Sequence, residues 1–193
     1  IVTLELPDPG PYQVVVKQYA SGICHSQLHQ MHAARDNPVI LGHESTGEVT
    51  KIGTEVKHVR PGDTVLVTWV PRNMTEGSRT PEPAVLELPN GEKAHSENVF
   101  TWSDFTIADE QYVVKVSSEI DKEVTSIIGC AVMTGAGAVE NTANVKAGDS
   151  VAIYGVGGVG LSAVVAAKAL GANPIIAVDL DEEKLAFARQ FGA

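Results

Sequence analysis

Ser150-Val151-Ala152-Ile153-Tyr154 runs directly into Gly155-Val156-Gly157-Gly158-Val159-Gly160, and this passage decides how the last third of the chain folds. A G-x-G-x-x-G pattern alone is only a glycine-rich loop. Here an apolar strand precedes it, an apolar helical run over 161–170 follows, and Gly171 and Pro174 stop that run. A second apolar strand at 175–178 then ends at Asp179, and a second helix is predicted over 182–191. Strand alternating with helix means a parallel sheet. In that setting Gly155 permits a tight turn, Gly157 lets the backbone approach a pyrophosphate, and Gly160 lets helix and strand pack closely. Gly158 and Val159 complete the turn, and the helix N-terminus offers free N–H groups to phosphates. Asp179 can accept both ribose hydroxyls and would repel a 2′-phosphate, which favours NAD over NADP. No Gly-Lys-Ser/Thr follows the glycines, so a P-loop is excluded.

Upstream, the style of the sequence changes near residue 132. A helical stretch is predicted over 134–144, leading into the turn Lys146-Ala147-Gly148-Asp149. The first two thirds instead read as short strands cut by turn residues, at 13–18, 47–52, 64–70 and 111–116, which suggests a small barrel or a strongly coiled sheet. One early helix is predicted over 26–32. Between 70 and 100 the pattern dissolves into Pro, Asn, Glu, Ser and Gly, as in a functional or surface loop or in disorder. There are no internal repeats.

The formal net charge of −10 and the scattered Lys and Arg make nucleic acid and anionic membranes poor partners. The long uncharged run over 150–167 is broken by four clustered glycines, so it is not a membrane span. Two cysteines, Cys24 and Cys130, are too few for a disulfide scaffold, and a reducing, cytoplasmic setting is expected.

Six histidines are present, and a lone histidine is more often a hydrogen-bonded surface or core residue than a ligand. That holds for His32, His58 and His95. His43 stands before Glu44 without the second histidine of a zinc-protease motif. Sequence separation alone does not assign Cys24, His43 and Cys130 to one ion. Two soft thiols and an imidazole beside a carboxylate suit a borderline-soft cation such as zinc.

Five ordered stretches then give a specific likeness. They are Gly22-Ile23-Cys24-His25-Ser26-Gln27-Leu28-His29, Leu41-Gly42-His43-Glu44, Pro61-Gly62-Asp63, the run Gly129-Cys130-Ala131-Val132-Met133-Thr134-Gly135-Ala136-Gly137, and the glycine turn with Val178-Asp179. Together they resemble the zinc-dependent medium-chain alcohol dehydrogenases over essentially the whole chain. The resemblance implies an α/β protein: a GroES-like, β-rich catalytic domain over 1–131, then the first half of a Rossmann domain, a doubly wound parallel sheet, over 132–193. It implies that Cys24, His43 and Cys130 hold a catalytic zinc with the fourth position open to substrate. Glu44 resembles the carboxylate that approaches the metal during ligand exchange, Ser26 the hydroxyl that bonds the alcohol, and His29 the far end of a proton relay. His25 resembles a basic residue facing the pyrophosphate, and Thr134 and Val159 match positions beside the nicotinamide. The expected reaction is oxidation of an alcohol to its aldehyde or ketone, or the reverse, by hydride transfer to NAD, in a homodimer or homotetramer of the complete protein.

Three departures bear on these expectations. Gln27 stands where many members carry an acid that supports a zinc-bound histidine, and an amide is a weaker acceptor. The segment 70–104 has no cysteine, so the four-cysteine structural zinc of many members is not expected. The sequence stops at Ala193, short of the strands that the family fold requires. Other readings are a polyol or thiol-adduct dehydrogenase of the same family, or a scaffold that binds cofactor without turnover. Zinc-free quinone reductases usually lack the Cys24, His43 and Cys130 set. Ser26 could also serve as the cap of the 26–32 helix. Because strand 175–178 has no predicted neighbour beyond it, residues 1–193 expressed alone are expected to be insoluble or inactive. Robust alcohol oxidation by that segment would contradict this.

Overall fold

The computed structural model describes residues 3–34, 36–73, 75 and 77–193. It divides into two compact units, Ile1–Cys130 and Ala131–Ala193.

The first unit is built on a five-stranded antiparallel sheet. Its strands are β1 (Gln13–Ser21), β2 (Ser45–Ile52), β3 (Thr64–Val67), β6 (Phe105–Asp109) and β7 (Val113–Lys115), in the order β6-β1-β2-β3-β7. Valines dominate because β-branched side chains fit a pleated surface. Val14 and Val16 face a core with Val49, Val65, Val67, Ala108, Tyr112 and Val113, whereas Val15 faces a second core with Ala84, Leu86, Phe100 and Ile107. The sheet is therefore covered on both sides. Its first pairing is irregular at two places, between Val15 and Val16 and between Gln18 and Ala20, and such irregularities sharpen the local twist. The helix expected over 26–32 is α1, Ser26–His32.

Several sequence expectations are corrected. The strand expected at 64–70 ends at Val67. That expected at 111–116 shrinks to Val113–Lys115, because Glu110–Tyr112 form a 3-10 turn capped by Asp109, whose carboxylate accepts the Gln111 N–H at 3.0 Å. Strand β6 was not foreseen. The irregular stretch over 70–100 contains a hairpin, β4 (Val85–Glu87) with β5 (Lys93–His95), whose central residues Leu86 and Ala94 are buried.

A buried ion pair pins this stretch to the sheet. Asp109, at the end of β6, is 1% exposed and accepts both Arg79 guanidinium nitrogens, at 2.6 and 2.8 Å. It also accepts the Glu82 and Gln111 N–H groups, and Arg79 lies over the Tyr12 ring, 4.2 Å from its centroid. Every lone pair that burial removes from water is thereby used.

In the second unit, β8 (Val151–Tyr154) and β9 (Ile175–Val178) pair in parallel, with Val151 opposite Ile175. Helix α3 (Gly158–Ala169) follows the glycine turn and α4 (Glu182–Phe191) follows β9. Gly155 has φ +84°, in the left-handed region that favours glycine. A Cβ on Gly160 would collide with the Gly155 carbonyl, which fixes how closely α3 can approach β8. Val156, Val164 and Ala188 form one buried cluster, and Val139, Val145, Ala163, Ala167 and Ala172 another. The helix expected over 134–144 is interrupted: α2 (Met133–Gly137) is flanked by wider π turns at Ile128–Val132 and Ala138–Thr142. Ile176, Val178 and Leu180 are exposed on this unit. Among the described residues no helix is long and apolar enough to cross a membrane.

Arg79→Met should lower stability by about 3 kcal/mol, the low end for breaking a buried pair because the guanidinium is partly exposed. Denaturant unfolding of the complete protein checks this. A change within about 0.5 kcal/mol would show that water satisfies Asp109 equally well.

Candidate metal centre

Three separate segments of the first unit bring their side chains together. Cys24 leaves β1 just before α1, His43 and Glu44 lead into β2, and Cys130 lies in the π turn at Ile128–Val132. One ligand atom from each of Cys24, His43, Glu44 and Cys130 lies within 4.8 Å of all the others. The two sulfurs are 3.8 Å apart.

Local contacts explain the convergence. The backbone before His43 is pinned where the Leu41 carbonyl accepts the Thr101 and Trp102 N–H groups, at 3.2 and 3.1 Å. Gly22 N–H donates to the Glu44 carbonyl at 3.1 Å, and the Trp102 indole donates to the Gly22 carbonyl at 3.1 Å. A Cβ on Gly22 would stand 2.5 Å from the Glu44 carboxyl, so only glycine lets that side chain lie inward. The Thr68 hydroxyl donates to the Gly129 carbonyl at 2.7 Å, tying the Cys130 segment to the end of β3.

The electrostatics of the cluster call for a cation. Glu44 is 2% and Cys130 8% exposed. Burial pushes the Cys130 thiol up to about 12, and the neighbouring Cys24 and Glu44 charges push the same way, against a lowering contact from the Trp69 side chain. Burial also lowers the His43 imidazole, opposed by the charge of Glu97. The His43 Nε2 atom is buried and has no hydrogen-bond partner. A buried polar atom of that kind ordinarily costs about 1–3 kcal/mol, and a metal bond would satisfy it. Two thiols, an imidazole and a carboxylate are the donors that a borderline-soft divalent ion takes. The residues present fit such an ion.

Around this cluster the other expected residues take definite places. Ser26 is the first residue of α1 and not its cap: His25 occupies the cap position, with no side-chain capping bond. The Ser26 hydroxyl instead donates to the Cys24 sulfur at 3.3 Å. His25 and His29 are exposed, with ring centroids 5.4 Å apart. Gln27 is 1% exposed; its amide nitrogen lies 3.4 Å from the Gln30 side-chain oxygen, and its own oxygen has no partner. Sequence reasoning missed Thr68, Trp69 and Glu97, which no motif or spacing marks.

In the second unit, Thr134 and Val159 are exposed, and Gly135 lies so close to the Val159 carbonyl that a Cβ would not fit. The space around Gly157 is open, with nothing within 4 Å of where a Cβ would stand, and Gly158 meets only the Ala131 methyl at 3.8 Å. Asp179 accepts the Val156 N–H at 2.8 Å and the Asp181 N–H at 3.1 Å, which together hold its carboxyl below the usual range. Asp181 caps α4, accepting the Glu183 and Lys184 N–H groups.

The alcohol dehydrogenase GroES-like domain family matches residues 10–118. The chain belongs to that family. Among alcohol dehydrogenase relatives it is 33% identical to an S-(hydroxymethyl)glutathione dehydrogenase of Photobacterium damsela subsp. piscicida, over all of this chain and 58% of that protein. An alcohol dehydrogenase zinc-binding domain protein from Burkholderia ambifaria superposes with a TM-score of 0.84 at 31% identity, over 97% of this chain and 57% of that one. Benzyl alcohol dehydrogenase from Acinetobacter calcoaceticus gives 0.83 at 29% identity, over 98% and 57%. The chain thus spans somewhat more than half the length of these alcohol dehydrogenase relatives.

If the cluster holds the metal through sulfur, the complete protein loaded with cobalt(II) should show thiolate-to-metal charge-transfer absorption, and Cys130→Ser should weaken it markedly. An unchanged band would place the ion elsewhere.

Proposed function

We propose that this chain is the metal-binding part, with the beginning of the coenzyme-binding part, of a zinc- and NAD-dependent alcohol dehydrogenase. The convergence of Cys24, His43 and Cys130 around a buried, partnerless His43 Nε2 carries this reading. In this reading residues 1–131 form the catalytic domain and 132–193 open the Rossmann domain. Cys24, His43 and Cys130 would hold a single zinc, since the segment 70–104 has no cysteine for a second. Bound there, zinc supplies Lewis acidity toward an alcohol oxygen, and NAD supplies the hydride acceptor.

The chain's own residues do the rest. Ser26 Oγ, exposed beside Cys24, takes the substrate's hydroxyl proton, and His29, one turn along α1, passes it to solvent. Glu44 stands buried among the ligands, placed to approach the metal when water and substrate exchange. Gly155, Gly157 and Gly158 leave backbone open to a pyrophosphate at the start of α3, and Gly160 lets α3 pack closely against β8. Thr134 and Val159 would flank the nicotinamide. Asp179 gives one lone pair of each oxygen to the backbone and retains others for the ribose hydroxyls.

The substrate we propose is a primary alcohol. A thiol adduct of formaldehyde is the second reading, favoured by the name of the 33% identical relative. Assay of the complete protein with NAD, on benzyl alcohol and on formaldehyde with glutathione, separates the two, and no turnover with either overturns the proposal. NAD should be preferred over NADP by about a hundredfold or more, because a 2′-phosphate would meet the Asp179 carboxylate with no cation at Leu180 or Asp181. Asp179→Gly with Leu180→Arg should narrow or reverse that preference without changing zinc content. Equal use of both coenzymes by the wild type would show that Asp179 does not face the ribose.

A further inference from the structure

Three of the six histidines lie on one stripe of one short helix. His25, His29 and His32 are spaced i, i+4 and i+7, and all three are exposed. His25 precedes α1 formally, but its backbone is already helical (φ −59°, ψ −29°), and its carbonyl accepts the Leu28 N–H at 3.0 Å. Residues four apart on a helix are neighbours on one face. The His25 and His29 rings meet edge to face with centroids 5.4 Å apart and planes at 61°. Neither belongs to the buried donor cluster, whose mutually close atoms come from Cys24, His43, Glu44 and Cys130.

We propose that His25 and His29 form a second, surface site that chelates a divalent transition-metal ion. The geometry supports chelation directly. With metal–nitrogen bonds of about 2.0–2.1 Å and an angle near 90–110°, two bound imidazoles have ring centres about 4.5–5.2 Å apart. From 5.4 Å, the rings need to close by about 0.2–0.9 Å. Their exposure leaves both free to turn, and the helical backbone holds their spacing in advance. Imidazole pairs without thiolate select copper and nickel ahead of zinc, so the site differs in preference from the thiolate centre as well as in place. The consequence for turnover rests on the proposed function: an ion here withdraws the His29 nitrogen from the proton relay and occupies His25, so it inhibits.

The test is calorimetric titration of the complete, zinc-loaded protein with Ni²⁺, without substrate or coenzyme. One additional ion per chain is expected. His25→Gln and His29→Gln should each weaken its binding about tenfold or more, and His32→Gln and His95→Gln not at all. Electron paramagnetic resonance of wild-type protein with one added Cu²⁺ should show coupling to two imidazole nitrogens, which requires no variant to fold. A signal without nitrogen coupling, or Ni²⁺ affinity unchanged by both His25→Gln and His29→Gln, overturns the site. Full turnover with the site saturated overturns its inhibitory role. Absence of any alcohol oxidation would count against the proposed function and leave the binding result standing.

Discussion

The structure of the first unit depends on one uncomfortable concentration of donors. Two thiols, an imidazole and a carboxylate share a pocket where Glu44 and Cys130 are almost wholly buried. Without a cation such a group repels itself: burial pushes the Cys130 thiol up, and the Cys24 and Glu44 charges add to that push. Everything around it works to keep the donors together. Backbone bonds at Leu41, Gly22 and Gly129 fix three strand-end segments, and Gly22 gives up a side chain so that Glu44 can lie inward. Stability is given up locally to hold a constellation, which is the usual mark of a functional site.

How much of this the sequence disclosed follows from the range of each interaction. The glycine turn with its strands and helices could be read because its parts adjoin: Gly155 answers a left-handed backbone and Gly160 the Gly155 carbonyl five residues before it. Cys24, His43 and Cys130 are separated by long stretches of chain, so only the motifs around them linked them. Strand β6 escaped notice because Thr106, Ile107, Ala108 and Asp109 are all buried, leaving no alternation of apolar and polar residues to detect. Strands β4 and β5 have three residues each, too few to set a period. The Ser26 hydroxyl found the Cys24 sulfur instead of a helix end, a choice that depends on where the thiol sits in space.

The second unit shows a different economy. The Asp179 carboxylate joins the end of β9 to the glycine turn through the Val156 N–H. A turn built from residues with few side-chain constraints is thus anchored by one charged group.

The ion pair between Arg79 and Asp109 has a consequence for how the molecule responds to chemical insult. The stretch between β3 and β6 contains no cysteine and is fastened by a guanidinium, a carboxylate and the packing of Ala84, Leu86 and Phe100. None of these fastenings is removed by a chelator or consumed by a thiol oxidant. Damage of that sort falls on the Cys24 and Cys130 sulfurs, so reactivity and architecture rest on different chemistry: that cluster can be oxidised while this part of the framework stays in place.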